Sequence, residues 1–257
     1  MMRQLIILIS LTAVLLCPGM ARSEVEPDIE KIVDGAYLRD SLNRSTMYDI
    51  TFSAESYSRK LKGNGEVKEE KRYFKTYYFK DTLFKAEFLE YSKNGEKQSE
   101  KDLQKQIKDL EKKGHLRDVT INPLRPFYPE ARANFRFNLL GVESKSDYSC
   151  YHVTVECLIE DKELYEGDYW LETTNLNLVT ALFHPSKLPG PIKQLDMEMI
   201  YAPLDDGYWL PRRFHLFGRG KVMLFIKFNF EAEEFYSDHL VNCGLTEDFF
   251  QEKSDEK

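Results

Sequence analysis

The sequence predicts a mainly β protein, built around a strongly curved antiparallel sheet of about ten or eleven strands. Three observations carry that prediction. From Tyr48 onward the apolar residues recur every second position in run after run, as in Ile50, Phe52 and Ala54 or Val153, Val155 and Cys157. Most runs are joined by short polar or glycine-containing turns, which forces neighbours to be antiparallel, since parallel neighbours need long crossovers. Only two segments carry a helical period. With so few helices to cover it, a sheet of this size buries one face most economically by bending.

The elements follow in order. After Pro27-Asp28, Ile29, Ile32, Val33 and Ala36 fall on one side of a segment with Glu30, Lys31 and Asp34 on the other, which predicts an N-terminal helix. A strand from Tyr48 ends at Lys62-Gly63-Asn64-Gly65, whose Asn-Gly pair suits a tight type I′ hairpin. Strands over Lys68 to Lys80 and from Phe84, Ala86 and Phe88 complete a three-strand meander, turning at Asp81-Thr82. Ser99 then caps a charged helix with a thin apolar stripe, Leu103, Ile107 and Leu110, stopped by Gly114. Pro123, Pro126 and Pro129 cannot sit in a central strand, so 122–129 reads as an extended loop carrying Leu124, Phe127 and Tyr128.

Strand patterning resumes with Phe135, Phe137 and Leu139, continues through 151–159, and turns at Glu160-Asp161-Lys162 into Tyr165 to Leu171. Thr174-Asn175 leads into Leu178 to His184. A second proline loop, 185–191, precedes Leu195, Met197 and Met199 on one face of the next strand. Asp205-Asp206-Gly207 turns into the last two strands, about Tyr208 to Phe217 and Lys221 to Phe235. An acidic tail, 244–257, is expected to be flexible.

Arg3 ahead of an apolar stretch from Leu5 to Leu16 is too short for a membrane span and reads as a signal peptide. Small residues permit cleavage after Ala21 or Ser23, and Ser23 is preferred, giving a signal peptide over 1–23 and one domain over 24–243. A lipid anchor at Cys17 is disfavoured because Leu16 stands where that signal wants a small residue. The net charge of −7 becomes −9 once Arg3 and Arg22 are removed, which argues against nucleic acid as a partner. Hydrophobic residues make up 42% of the chain, with 17 Phe and 15 Tyr, a composition of folded aromatic-rich strands and not of disorder.

The reactive residues form no recognisable catalytic or metal-binding pattern. His115, His152, His184, His215 and His239 are scattered without metal-ligand spacing. Gly218-Arg219-Gly220-Lys221 lacks the spacing of a phosphate loop and reads as a bulge or turn. No nucleophile elbow occurs, and Trp170 and Trp209 read as packing anchors. Seven residues of strand separate Cys150 from Cys157 by about 23 Å on opposite faces, so those two cannot bridge, while a bridge from either to Cys243 stays open. The chain is therefore read as no enzyme, with no cofactor and no metal.

The order signal peptide, helix, meander, inserted helix and strands bearing Gly167-Asp168-Tyr169-Trp170-Leu171-Glu172 and Asp206-Gly207-Tyr208-Trp209-Leu210-Pro211 resembles the LolA-like outer membrane lipoprotein-sorting proteins. The resemblance spans about Asp28 to Asp238. It implies an open antiparallel half-barrel whose helices form a lid over an apolar cavity, in a periplasmic carrier of lipids or acylated lipoproteins that meets inner- or outer-membrane envelope proteins. On that reading the inward residues Phe52, Phe84, Phe88, Phe137, Val153, Val155, Leu195, Met197, Met199, Phe225 and Phe228 line the cavity, and Leu103, Ile107 and Leu110 belong to the lid. The alternative within the same fold is an envelope-stress sensor or protein-interaction module whose cavity is filled.

Overall fold

The computed structural model describes residues 27–112, 121–222 and 226–251. The expected signal peptide, the helix stop at Gly114, His115, Phe225 and the end of the tail lie outside them. Eleven strands form one antiparallel sheet. Its order is β4-β3-β2-β1-β11-β10-β9-β8-β7-β6-β5, from β1 (Asp49–Leu61), β2 (Val67–Lys80), β3 (Leu83–Lys93), β4 (Glu96–Lys97), β5 (Phe135–Lys145), β6 (Tyr148–Cys157), β7 (Tyr165–Glu172), β8 (Leu178–Pro185), β9 (Ile192–Pro203), β10 (Trp209–Val222) and β11 (Ile226–Val241). The curved sheet does not close, so it is a half-barrel with β4 and β5 as its edges. β4 is two charged residues long, which blunts that edge against pairing with another chain.

The long-range joint is β1 with β11, running from Ile50 opposite Val241 to Leu61 opposite Asn229 with one shift between Thr51 and Ser53. It splices the meander β1–β3 onto the run β5–β11. Register places Ile50, Phe52, Ala54 and Ser56 on one face with Phe79, Tyr77, Lys75 and Tyr73 of β2, with Tyr236 and Glu234 of β11, and onward with Phe214 and Leu216 of β10 and Met199 and Met197 of β9. This is the concave face, and both long helices lie against it.

Helix α1 (Ile29–Ser45) is longer than its clear apolar stripe, capped by Asp28, which accepts from the Glu30 N–H at 3.1 Å. Ile32, Val33 and Ala36 sink into a cluster with Val153, Val155, Tyr169, Leu171 and Phe183. The proline segment joins them. Instead of an extended loop, Arg125–Phe127 and Arg132–Asn134 form single 3₁₀ turns, and Phe127 is fully buried against Phe137 and Tyr169. For the first of these, Pro126 stands within the opening turn, where it fixes φ without losing a needed donor. Helix α2 (Glu100–Lys112) rests Leu103 and Ile107 on Tyr73, Tyr91 and Phe88 at the other end of the face. A short α3 (Glu247–Gln251) sets Phe249 against Tyr78, ring centroids 4.7 Å apart.

One local expectation is corrected. The β1–β2 turn is not type I′: Asn64 keeps a negative φ and only Gly65 is left-handed, at 87°, with Gly65 N–H donating to Lys62 C=O at 3.0 Å. A type I turn followed by a left-handed glycine gives the same reversal with one positive φ instead of two. Of the two forms expected for Gly218-Arg219-Gly220-Lys221, the strand takes the bulge and not the turn: both glycines lie within β10, with a register shift between Arg219 and Gly220. A side chain at either would collide with the Phe230 or Phe228 ring, so the glycines are the floor on which these two stacked rings lie.

Candidate functional site

Phe52 is the hub of the concave face. Its ring meets Tyr77, Phe79, Tyr236 and His239 at centroid separations of 5.3, 5.7, 5.5 and 5.2 Å, and it is 8% exposed. Between this hub and α1 lies a cavity of about 380 Å³, within the range of small-molecule sites. Ile50, Phe52, Phe79, Met199 and Leu210 supply apolar walls, the C-terminal end of α1 supplies Asp40, Asn43 and Arg44, and Met47 follows just after the helix. The polar members are tied together: Arg44 Nε donates to Asp40 at 2.8 Å and Tyr128 O–H donates to the same carboxylate. An apolar wall with an ion-paired rim is the arrangement that an amphiphile requires.

His239 belongs to this lining. Burial, reinforced by the Arg212 guanidinium, pushes its imidazole down to about 4, so it is neutral near pH 7. Its Nε2 is buried without a hydrogen-bond partner. A neutral ring stacked on Phe52 completes the apolar wall at no ionic cost.

Beside the hub a charge pair sits on the same concave face. Lys75 Nζ is 2.6 Å from Glu234 Oε1, with side chains 11% and 14% exposed. Glu234 also accepts from Ser56 Oγ at 2.5 Å, Tyr77 O–H at 2.9 Å and Tyr236 O–H at 3.1 Å. Burial works to raise the carboxyl, but Lys75 and the hydroxyl donors outweigh it and hold Glu234 below its ordinary value. Sequence reading passed over both residues. The available signal was a charge at an inward position of an alternating strand.

The residues expected to line the cavity fall into distinct places. Phe52 and Met199 line the 380 Å³ space. Phe84 packs on Phe79 at 4.9 Å, one strand behind that wall. Phe88 lies beside Tyr73 under α2. Phe137, Val153, Val155 and Met197 are in the packed cluster beneath α1 and the 3₁₀ turns. Leu195 is half-buried, as is Phe228, which lies over Gly220. Of the lid residues, Leu103 is 3% exposed, while Ile107 and Leu110 are half-buried.

The three cysteines among the described residues are free thiols: Cys150 buried on the convex side against Trp170 and Val179, Cys157 half-buried and Cys243 exposed. Trp170 donates its indole N–H to Glu143, and Trp209 to Leu178 C=O. Among the described residues no cluster of His, Cys, Asp or Glu could hold a metal ion, and no helix is long and apolar enough to cross a membrane.

No protein-family model matches the sequence, and no curated protein does. Solved structures do match along most of the chain. They include an outer membrane lipoprotein-sorting protein domain from Vibrio parahaemolyticus (14% identity, 87% of this chain and 97% of that one, TM-score 0.42). A DUF1329 family protein from Desulfovibrio piger is similar over 88% and 98% (11% identity, TM-score 0.41), as is a LolA superfamily protein from Nitrosomonas europaea (12% identity, 88% and 98%, TM-score 0.37).

Proposed function

We propose that this chain is a carrier, exported to the periplasm by a cleaved signal peptide over 1–23, that shelters acyl chains of a lipid or lipoprotein on the concave face. The observation that carries the reading is the 380 Å³ space with apolar walls and an ion-paired rim. About ten methylenes moved from water into such walls gain roughly 8 kcal/mol before the costs of association, and no reacting group is needed for that task.

Filling the space tests the reading. Leu210→Trp and Met47→Trp each put an indole where the chain would lie. Both should weaken binding of a fluorescent fatty-acid probe at least tenfold while far-UV circular dichroism keeps its β signature. Unchanged binding in both variants would remove this space as the site.

A second reading is favoured by a different observation: half of the concave face, beneath α1 and Phe127, is packed solid. A protein-interaction module needs no more space than that. Native mass spectrometry of the purified protein separates the two, since a carrier brings heterogeneous lipid mass with it and a filled module does not.

A further inference from the structure

On the convex face the cations of the middle strands are paired with carboxylates. Arg59 of β1 reaches Glu70, Glu231 and Glu233, Arg213 of β10 reaches Glu198 and Glu233, and His215 reaches Glu231. Two rows further toward the β10–β11 hairpin the pattern changes. A depression of about 650 Å³ is lined there by Lys193, Arg219, Lys221 and Lys227 over half-buried Leu61 and Phe217, with no carboxylate in its lining. All four cations are exposed, and among the described residues none has an ion-pair or side-chain hydrogen-bond partner. Lys221 and Lys227 stand directly opposite each other in the ladder, a like-charge pairing that costs stability. In a chain of net charge −7, an uncompensated cationic cluster held at such a cost calls for an external anion.

We propose that this end of the sheet docks on an anionic lipid surface, the four cations meeting headgroup phosphates. Charge complementarity supplies the attraction. Four exposed cations with no carboxylate among them match the dense negative charge of an anionic headgroup layer. The docking surface itself is the four described cations. It is independent of what the concave face holds.

The test is co-sedimentation of the full mature chain with phosphatidylcholine vesicles and with vesicles containing one-quarter phosphatidylglycerol, at low salt and at 0.5 M NaCl. Binding should require the anionic lipid and vanish at high salt, where screening is short-ranged. Each basic residue near such a surface is worth about fivefold in partition, so Lys221→Gln/Lys227→Gln should lower binding about 30-fold. That variant should melt no lower than the parent, because it removes a repulsion. A charge-matched control on α2, Lys105→Gln/Lys108→Gln, should bind as the parent does. Failure to bind anionic vesicles, equal loss in the control, full displacement by millimolar inorganic phosphate, or binding to polyglutamate in place of vesicles would each overturn the proposal.

Discussion

Replacing Lys75 by Met removes one partner of the inward charge pair and leaves Glu234 below 15% exposed with its three hydroxyl donors. Breaking a buried pair from one side costs about 3–5 kcal/mol because the remaining charge is uncompensated. The three hydroxyls offset part of that, which places the expected loss near the lower end, about 3 kcal/mol. With a urea slope of about 2–3 kcal/mol/M the midpoint should fall by about 1–1.5 M. Adding Glu234→Gln removes the stranded charge while keeping an acceptor for the hydroxyls, and should restore about 2 kcal/mol. The pH dependence has a definite sign. In the parent, Glu234 is held below its ordinary value, so its contribution is complete above about 4.3 and is lost as pH falls through the lower folded value. In Lys75→Met burial prevails and the carboxyl rises, so the gap between the two proteins should be widest at pH 7 and narrow below about pH 4. A single variant that loses less than 1 kcal/mol, or a double variant less stable than the single, would refute the account of this pair.

Gly218→Ala should destabilise by about 1–3 kcal/mol in thermal melts, because its methyl group would displace the Phe230 ring, and Phe230→Leu should recover part of the loss. Asp49 is buried at the start of β1 and accepts from the Cys243, Gly244 and Leu245 N–H groups, at 2.7, 3.1 and 3.2 Å. Burial works to raise this carboxyl, but these donors and the Cys243 thiol hold it below its ordinary value. Asp49→Ala should therefore cost about 2 kcal/mol near neutral pH. The difference should fade as pH drops below about 4, through the depressed folded value, in parallel denaturation curves. In native protein a thiol reagent should label exposed Cys243 and spare Cys150, which is fully buried and whose thiol burial pushes up to about 11; labelling of Cys150 without denaturant would contradict the packing against Trp170.

Much of the sheet was legible because a half-buried strand writes its period of two directly into sequence. Ile50, Phe52 and Ala54, or Val153 and Val155, do point to one side. The meander followed from its short turns. The β1–β11 joint did not, since nothing near Ile50 marks Val241 as its partner and only the finished sheet brings them together. Phe127 was misplaced for a related reason: three prolines bar a central strand, but they do not bar a 3₁₀ turn that buries a ring. Lys75 and Glu234 were passed over because the opposite charge that each needs comes from a strand 159 positions away. Alternation also carries no information on volume. It marks Met197 and Met199 alike, although one lies in the packed cluster and also lines the space and the other only belongs to the packing; register places Met199 at the wall.

The splice between β1 and β11 sets an order of events. The walls of the cavity come from both sides of that seam: Ile50, Phe52 and Phe79 from one, Met199, Leu210 and Tyr236 from the other. No part of the chain before β11 can assemble the pocket, and contacts of such wide sequence separation form slowly. Until the final strand zips into place, the aromatic hub is bare. A folding chain of this design therefore passes through a stage in which its stickiest surface awaits its own C-terminal third, and the cell must keep it apart from neighbours during that interval.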